Sequence, residues 1–162
     1  MKVLKRFTVL CLIIVMALTV SVPALAATKS YTFTYRSYSR RPGQSVSRIR
    51  KKWKLRETSR GNSQGGGQYI TYMRKGLRVL AYSRTKGGTE YISDIMITSS
   101  KYKTREGIKV GSTLAKLKSR YKHVAFLGNY DYYTVKNGMM ILFHLKNGRV
   151  KWITYMEAPR TD

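Results

Sequence analysis

Two cationic stretches hold the residues of this sequence that are best suited to bind a ligand. Neither residues 44–56 nor residues 111–122 include an acidic side chain. Like-charged residues four positions apart, such as Arg48 and Lys52, destabilise a helix by about 0.2–0.5 kcal/mol per pair. Cations without internal counter-charges favour polyanions as partners. The side chains that would make these contacts are Arg48, Lys51, Lys52, Lys116, Lys118 and Arg120.

The net charge of the whole chain supports the same chemistry. The sequence has 32 lysines and arginines against 7 aspartates and glutamates, a formal net charge of +25. A small domain needs a net charge of only about 2–8 for solubility. We therefore expect an anionic cell-wall polymer or an acidic protein as the partner, with nucleic acid as a less favoured choice. A strongly solvated surface without a partner is the alternative.

A second candidate surface is the outward face of the predicted sheet. In residues 139–145, alternation places Ile141, Phe143 and Leu145 toward a helix and His144 on the outward face. An apolar face that also carries basic and aromatic residues is typical of a binding surface, and the alternative is ordinary core beneath the other half of the chain. In the other strands the predicted outward residues are Arg78, Leu80, Tyr82, Arg84, Glu90, Ile92, Asp94, Lys151, Ile153 and Tyr155.

Tyrosine stacking on sugars or bases is a third candidate activity. The chain has 13 tyrosines, and in this interpretation Tyr130, Tyr132 and Tyr133 would form a groove edge with the glycine loop at 65–67. The alternative is that these tyrosines are simply good strand formers.

Evidence for catalysis in the sequence is sparse. The chain contains no His-Glu-x-x-His zinc motif and no Gly-x-x-x-x-Gly-Lys phosphate loop. A small basic secreted nuclease that pairs His123 or His144 with Glu106 is the remaining enzymatic interpretation. We predict a non-enzyme, and the sequence implies no metal and no organic cofactor.

Hydrophobic periodicity predicts short elements along the chain. Apolar residues recur on one face of predicted helices over 45–55 and 112–122. Asn-Gly pairs at 137–138 and 147–148 predict tight hairpin turns. Strands are predicted at 31–35, 68–73, 77–84, 90–97, 130–135, 139–145 and 149–157.

The order of a helix followed by strands occurs twice. Residues 43–53 match residues 111–121 in a leading glycine and in their apolar positions. We therefore predict an α+β fold of two tandem repeats, 27–97 and 98–162. Each repeat would be a helix packed on an antiparallel β-meander, which makes a two-layer sandwich. The sequence leaves open whether the two sheets are continuous, and it leaves the oligomeric state open.

The first 26 residues have the pattern of a secretory signal peptide. A basic start precedes an apolar run over 7–22, and Ala24-Leu25-Ala26 is a small-x-small cleavage site. The run is too short for a spanning helix. We expect cleavage after Ala26, loss of Cys11, which is the single cysteine, and a mature chain without disulfides or a transmembrane segment.

A longer pattern in the second half resembles a known family. It reads Thr104-x-x-Gly107-Ile108-x-Val110-Gly111-Ser112-Thr113, then a short amphipathic helix, then a meander ending in Asn147-Gly148-Arg149-Val150-x-x-Ile153. The pattern resembles the β-lactamase-inhibitor-protein-like superfamily, which includes small outer-membrane assembly lipoproteins and secreted Gram-positive proteins. The resemblance covers residues 31–157 and implies tandem repeats with a concave sheet surface that binds a partner protein. Inhibition of β-lactamases does not carry over, because the mature chain has no disulfides and Tyr121 is followed by Lys122 rather than glycine.

These observations predict a secreted, non-enzymatic binding protein that acts at the cell envelope. The helix faces would supply long-range attraction, and the outward sheet face would supply shorter-range contacts. One alternative is a protein-inhibitor or adaptor module that binds one acidic protein, and another is the nuclease. The predicted binding residues are Arg48, Lys51, Lys52, Arg78, Tyr82, Arg84, Lys116, Lys118, Arg120, His144 and Tyr155.

Overall fold

A computed structural model describes residues 30–160 of the chain. The predicted signal peptide, its cleavage site after Ala26 and Cys11 lie outside the described residues. Within residues 30–160 the chain is mostly β-strand, with two short helices. Neither of these helices has the length and apolar character needed to cross a membrane.

The described chain starts with a small hairpin, after which a short helix is followed by four strands on two occasions. The hairpin is β1 (Phe33–Tyr35) and β2 (Tyr38–Arg40). The next elements are α1 (Ser47–Lys52), β3 (Arg56–Asn62), β4 (Gln68–Arg74), β5 (Leu77–Ser83) and β6 (Tyr91–Ile97). The last elements are α2 (Leu114–Arg120), β7 (Ala125–Gly128), β8 (Asp131–Lys136), β9 (Met139–Lys146) and β10 (Arg149–Glu157).

Strands β3 to β10 form one antiparallel sheet in the order β3-β4-β5-β6-β10-β9-β8-β7. At its centre β6 pairs with β10, and Ile97 lies opposite Ile153 while Ile95 lies opposite Tyr155. β6 is the last strand after α1, and β10 is the last strand after α2. Because these two strands pair with each other, the two halves of the chain share one continuous sheet.

One face of this sheet is covered by the hairpin and by both helices. Phe33 of β1, Ile49 of α1 and Leu117 of α2 are buried in the same core as the inward residues of the sheet. Burial of an aliphatic or aromatic side chain of this size contributes about 1.5–3 kcal/mol. The opposite face, which we call the open sheet face, is not covered by either described helix.

The predicted fold class is wrong. The sequence predicts an α+β fold of two tandem repeats, each a helix on a meander in a two-layer sandwich. The structure is mostly β, with one eight-stranded and one two-stranded sheet. Helices α1 and α2 have only 6 and 7 residues. Lys54, with a φ of +51°, stops α1, and extended backbone at Tyr121 stops α2.

Two edge strands that the sequence does not predict add to the β content. β3 and β7 are the outermost strands of the large sheet. All seven residues of β3, Arg-Glu-Thr-Ser-Arg-Gly-Asn, are exposed. A strand that buries no side chain on either face has no alternation of apolar and polar residues, so its sequence is typical of a loop.

The inner strands lie where the sequence predicts them. β4, β5, β6, β8, β9 and β10 each fall within one or two residues of the predicted bounds. Both predicted Asn-Gly turns are also confirmed, because Asn137, Gly138, Asn147 and Gly148 have φ values of 49°, 71°, 53° and 67°. Positive φ at both central residues is the geometry of a type I′ turn, whose twist matches that of the flanking strands.

Candidate binding surfaces

The cations of both helices project from the covered side of the sheet. Ile49 and Leu117 turn one face of each helix toward the core, and the charged face therefore points away from it. All of these cations are exposed. Arg50 of α1 forms an ion pair with Glu57 at 3.9 Å, and no ion pair between described residues includes the other six. Lys52 places Nζ 5.6 Å from the ring centroid of Tyr38. We call this group the helix-side surface: Arg48, Lys51, Lys52, Lys116, Lys118 and Arg120.

A groove of about 800 Å³ lies between the hairpin and the segment at 103–105. Its lining consists of hydroxyl side chains and cations, and we call it the hydroxyl groove. Arg41 donates from Nη1 to the hydroxyl of Ser30 at 3.3 Å. The lining residues are Ser30, Thr32, Thr34, Ser39, Arg41, Lys103, Thr104 and Arg105.

Local structure explains why these side chains meet. Phe33 is buried in the core, so strand alternation turns its neighbours Thr32 and Thr34 the other way. Thr34 lies opposite Ser39 in the hairpin, and their hydroxyl oxygens are 2.6 Å apart. Phe33 also meets Tyr102 edge to face, which places the segment after Tyr102 beside the hairpin.

The acidic residue of this segment is directed toward the core. Glu106 follows Arg105 in sequence, but its carboxylate accepts a hydrogen bond from the hydroxyl of Tyr121 at 2.6 Å. Burial, together with this bond, raises the pKa of Tyr121 above its ordinary value. Arg105 and Lys103 are exposed, so the charge at the groove is positive.

None of the residues that line the hydroxyl groove is among the binding residues predicted from the sequence. Its parts lie far apart in the chain, at 30–41 and at 103–105. The one local signal is the alternation of threonine with aromatic residues in 31–35, which predicts a polar side for that strand. Only the packing of Phe33 on Tyr102 reveals what that polar side faces.

The predicted orientation of β9 is confirmed. Ile141, Phe143 and Leu145 are buried in the core. His144 lies between them in sequence and therefore on the open sheet face. It pairs across the sheet with Trp152 of β10 and Asp131 of β8.

The predicted orientation of β10 is wrong. Ile153 and Tyr155, predicted to face outward, are fully buried, and Tyr155 is only 1% exposed. The pairing register shifts between Val150 and Trp152, which marks a β-bulge. Because a bulge adds one residue, the alternation changes phase there, and Lys151 is left exposed at the bulge. Tyr155 therefore does not contribute to any surface.

A second bulge changes the face assignment in β6. The register shifts between Leu80 and Ala81, so that Leu80 pairs with Asp94 and Ala81 with Ile92. Ile92, predicted outward, is buried in the core instead. Asp94, opposite Leu80, is on the open sheet face as predicted.

The binding residues predicted in the region of β5 do not all lie on one surface. Arg78 and Tyr82 alternate with the buried Val79 and Ala81, and so they lie on the open sheet face. Arg84 follows the end of β5 and is exposed in the turn toward β6. The structure therefore brings Arg78, Tyr82 and His144 to one face of the sheet and the helical cations to the other side.

His144 has two close partners on the open sheet face. Its Nδ1 lies 2.7 Å from Oδ1 of Asp131. Its ring stacks on the indole of Trp152, with centroids 3.6 Å apart and planes 7° from parallel. Glu106, the carboxylate predicted to pair with a histidine in a nuclease, binds Tyr121 instead. His123 is exposed.

The predicted tyrosine groove edge is wrong. The glycine loop at 65–67 follows β3 at one edge of the sheet, whereas Tyr130, Tyr132 and Tyr133 lie near β7 at the other edge. Tyr132 packs on Phe126, with ring centroids 5.1 Å apart. The fold instead brings Tyr69, Tyr82 and Tyr91 together on the open sheet face, as successive cross-strand partners in β4, β5 and β6.

The segment Gly61-Asn62-Ser63-Gln64-Gly65 has the Gly-x-Ser-x-Gly spacing of a hydrolase nucleophile turn. That turn requires a strand that leads directly into a helix. Here the segment connects β3 to β4 as a hairpin, in which Ser63 donates its backbone N–H to the carbonyl of Gly67 at 2.8 Å. The spacing is therefore part of an edge hairpin in this fold.

No group of three or more histidine, aspartate or glutamate side chains within residues 30–160 has the arrangement of a metal site. Comparison of the chain with protein-family models, with curated proteins and with solved structures gave no match.

Proposed function

We propose that this protein is a secreted, non-enzymatic binding protein that holds an anionic cell-wall polymer at the cell envelope. The contacts would be made by the hydroxyl groove and the helix-side surface. The observation that carries the proposal is the lining of the groove, where three cations stand among five hydroxyl side chains in about 800 Å³.

The two kinds of side chain suit one class of ligand. Lysine and arginine bind phosphate groups, and serine and threonine hydroxyls donate hydrogen bonds to phosphate oxygens. A phosphodiester polymer such as teichoic acid presents phosphates together with free hydroxyl groups. The groove would bind a short stretch of such a polymer, and the helix-side surface would attract the rest of it through long-range charge.

The proposed location depends on residues 1–26. Their basic start, apolar run and Ala24-Leu25-Ala26 site are typical of a secretory signal peptide. A chain exported in this way leaves the cytoplasmic polyanions behind and meets anionic wall polymers outside the cell membrane. Mass spectrometry of the chain from a secreting host tests this directly, and an amino terminus at Ala27 is the expected result.

The function is tested by binding of purified chain to teichoic acid, heparin and duplex DNA at several salt concentrations. Each phosphate contact on duplex DNA adds about 0.9 to the slope of log affinity against log salt. We expect teichoic acid to bind with a steep slope. Binding of one acidic protein without salt dependence would instead support the inhibitor or adaptor module, and RNA hydrolysis that His144→Ala abolishes would support the nuclease.

Two triple variants separate a specific site from net charge. The groove variant is Arg41→Gln, Lys103→Gln and Arg105→Gln, and the control is Lys86→Gln, Lys146→Gln and Lys151→Gln. Both lose three positive charges from exposed or partly exposed positions. We expect the groove variant to weaken teichoic acid binding by about tenfold or more and the control by much less. Equal losses would reject the groove as the binding site.

A further inference from the structure

A second candidate site lies on the open sheet face, at the end of the sheet opposite to His144. It is a depression of about 510 Å³. Three tyrosines form a row across β4, β5 and β6, because Tyr69 pairs with Tyr82 and Tyr82 with Tyr91. The rings of Tyr69 and Tyr82 are 5.1 Å apart at 47°. The side chains that line the depression include Tyr69, Tyr82, Tyr91, Asp94, Met156 and Glu157.

Asp94 gives this depression a carboxylate that accepts no hydrogen bond at Oδ1. Asp94 is only 9% exposed. Its Oδ1 and the Nε of Arg78 are both buried, and neither has a hydrogen-bond partner in the described structure. The two side chains form an ion pair, in which Nη2 of Arg78 lies 3.8 Å from Oδ1 of Asp94. Buried polar atoms without partners are rare in proteins, because each costs its full desolvation free energy.

The opposite charges of Asp94 and Arg78 limit the kind of ligand that the depression can bind. A carboxylate oxygen only accepts hydrogen bonds, and a guanidinium nitrogen only donates them. An ammonium ligand could serve Asp94 but would be repelled by Arg78 beside it. A hydroxyl group donates a hydrogen bond to a carboxylate without that repulsion, so a neutral ligand with several hydroxyls suits a depression lined by Asp94.

The tyrosine row favours a ligand with flat apolar faces as well as hydroxyls. Tyrosine offers a large, rigid contact area that loses little conformational entropy on binding. The row crosses two strand spacings, which is about 10 Å. A pyranose ring has an apolar C–H face that packs on an aromatic ring and hydroxyls at its edge that reach carboxylates. Sites of this kind are mostly apolar, with a few polar groups that fix the orientation.

We propose that the depression formed by Tyr69, Tyr82, Tyr91 and Asp94 binds a neutral glycan of linked pyranose units. The site is separate from the hydroxyl groove, which lies on the covered side of the sheet, so it does not depend on the proposed function. Glu157, on the rim of the depression, provides a second carboxylate for ligand hydroxyls.

The test is calorimetric titration of the full mature chain with chitohexaose, cellohexaose and maltohexaose, with hexalysine as the competing ligand class. We expect one of the three oligosaccharides to bind with a Kd below about 1 mM. Tyr82→Ala and Tyr91→Ala should each weaken it by about tenfold, and Asp94→Asn should weaken it measurably. Tyr130→Ala, which removes a tyrosine that is 70% exposed on the far edge of the sheet, should leave the Kd unchanged.

This test can distinguish a variant that has lost affinity from one that has lost its fold. Tyr91 is an exposed residue, so Tyr91→Ala keeps the sheet intact, and circular dichroism of each variant checks this. Absence of binding by all three oligosaccharides overturns the proposal. So does sugar binding that survives both tyrosine substitutions, because the sugar then binds elsewhere. Hexalysine binding that Tyr82→Ala abolishes, without sugar binding, assigns the depression to a cationic peptide and also rejects the proposal.

Discussion

The ring of Phe33 meets the indole of Trp53 edge to face, with centroids 5.3 Å apart and planes at 78°. Both side chains are buried, and the indole N–H of Trp53 donates to the carbonyl of Tyr35 at 2.9 Å. Trp53 follows the last residue of α1, and Phe33 and Tyr35 belong to β1. This contact therefore attaches the hairpin, with its half of the hydroxyl groove, to the helix layer.

Replacing Trp53 with alanine should destabilise the whole fold. Loss of a buried tryptophan leaves a cavity and costs about 3–5 kcal/mol. Urea denaturation followed by circular dichroism measures the loss in free energy of unfolding. Leu127→Ala is the matched control, because Leu127 is 61% exposed and its loss should change stability by no more than about 0.5 kcal/mol. A Trp53→Ala cost as small as that of the control would contradict this role for the indole.

Gly148→Ala should destabilise the β9–β10 hairpin through the backbone alone. Gly148 has a φ of +67°, and a β-carbon built on it meets no atom within 4 Å. The cost of the left-handed conformation for alanine is roughly 1–2 kcal/mol. Gly65 has equal space without a positive φ, so Gly65→Ala should be neutral or stabilising by up to about 1 kcal/mol. Thermal melting of both variants compares them, and equal shifts in Tm would refute the backbone explanation.

Thr113→Ala should destabilise α2. Thr113 is the N-cap of this helix, and its hydroxyl oxygen accepts a hydrogen bond from the backbone N–H of Lys116 at 3.2 Å. Loss of such a cap costs about 0.5–2 kcal/mol. Thr113→Ser retains the hydroxyl and serves as the control. Denaturation should rank the serine variant close to the parent chain and the alanine variant below both, and a reversed order would disprove the cap.

Asp94 and Glu57 should give pH dependences of opposite sign. Burial raises the pKa of Asp94 above its ordinary value of 3.8, although the charge of Arg78 opposes this. The hydrogen bond from Arg60 lowers the pKa of Glu57 below its ordinary value of 4.5. The stabilising contribution of Asp94 is therefore present in acid and lost as the pH rises through its folded pKa. That of Glu57 is present above 4.5 and lost as the pH falls through its folded pKa.

Substitution by the uncharged amides separates these two effects. At neutral pH we expect the Asp94→Asn variant to have a higher free energy of unfolding than the parent chain. We expect the Glu57→Gln variant to have a lower one. Both differences should shrink as the pH is lowered toward about 3, where the carboxylates become protonated. Denaturation curves at neutral and acidic pH measure this. An Asp94→Asn variant that is less stable than the parent at neutral pH would show that the attraction to Arg78 outweighs the burial.

Local pattern predicts the inner strands well and the edge strands poorly. β4 and β5 bury alternate residues, and β9 is a nearly continuous apolar run, so these three strands are visible in the sequence. β3 buries none of its residues and is held by pairing with β4, which is a contact between distant backbone groups. The helices are overextended in the prediction because the apolar stripe continues through Trp53, beyond the end of α1.

By itself, the sequence determines the positive charge, the positions of the inner strands and the Asn-Gly turns, because each of these depends on residues close together in the chain. The tertiary structure decides the rest. The register shifts at β10 and β6 change which side chains reach each face. A bulge arises from pairing with a neighbouring strand, which a local pattern does not contain. The strand order brings Tyr69, Tyr82 and Tyr91 together, and packing of the hairpin beside Tyr102 assembles the hydroxyl groove.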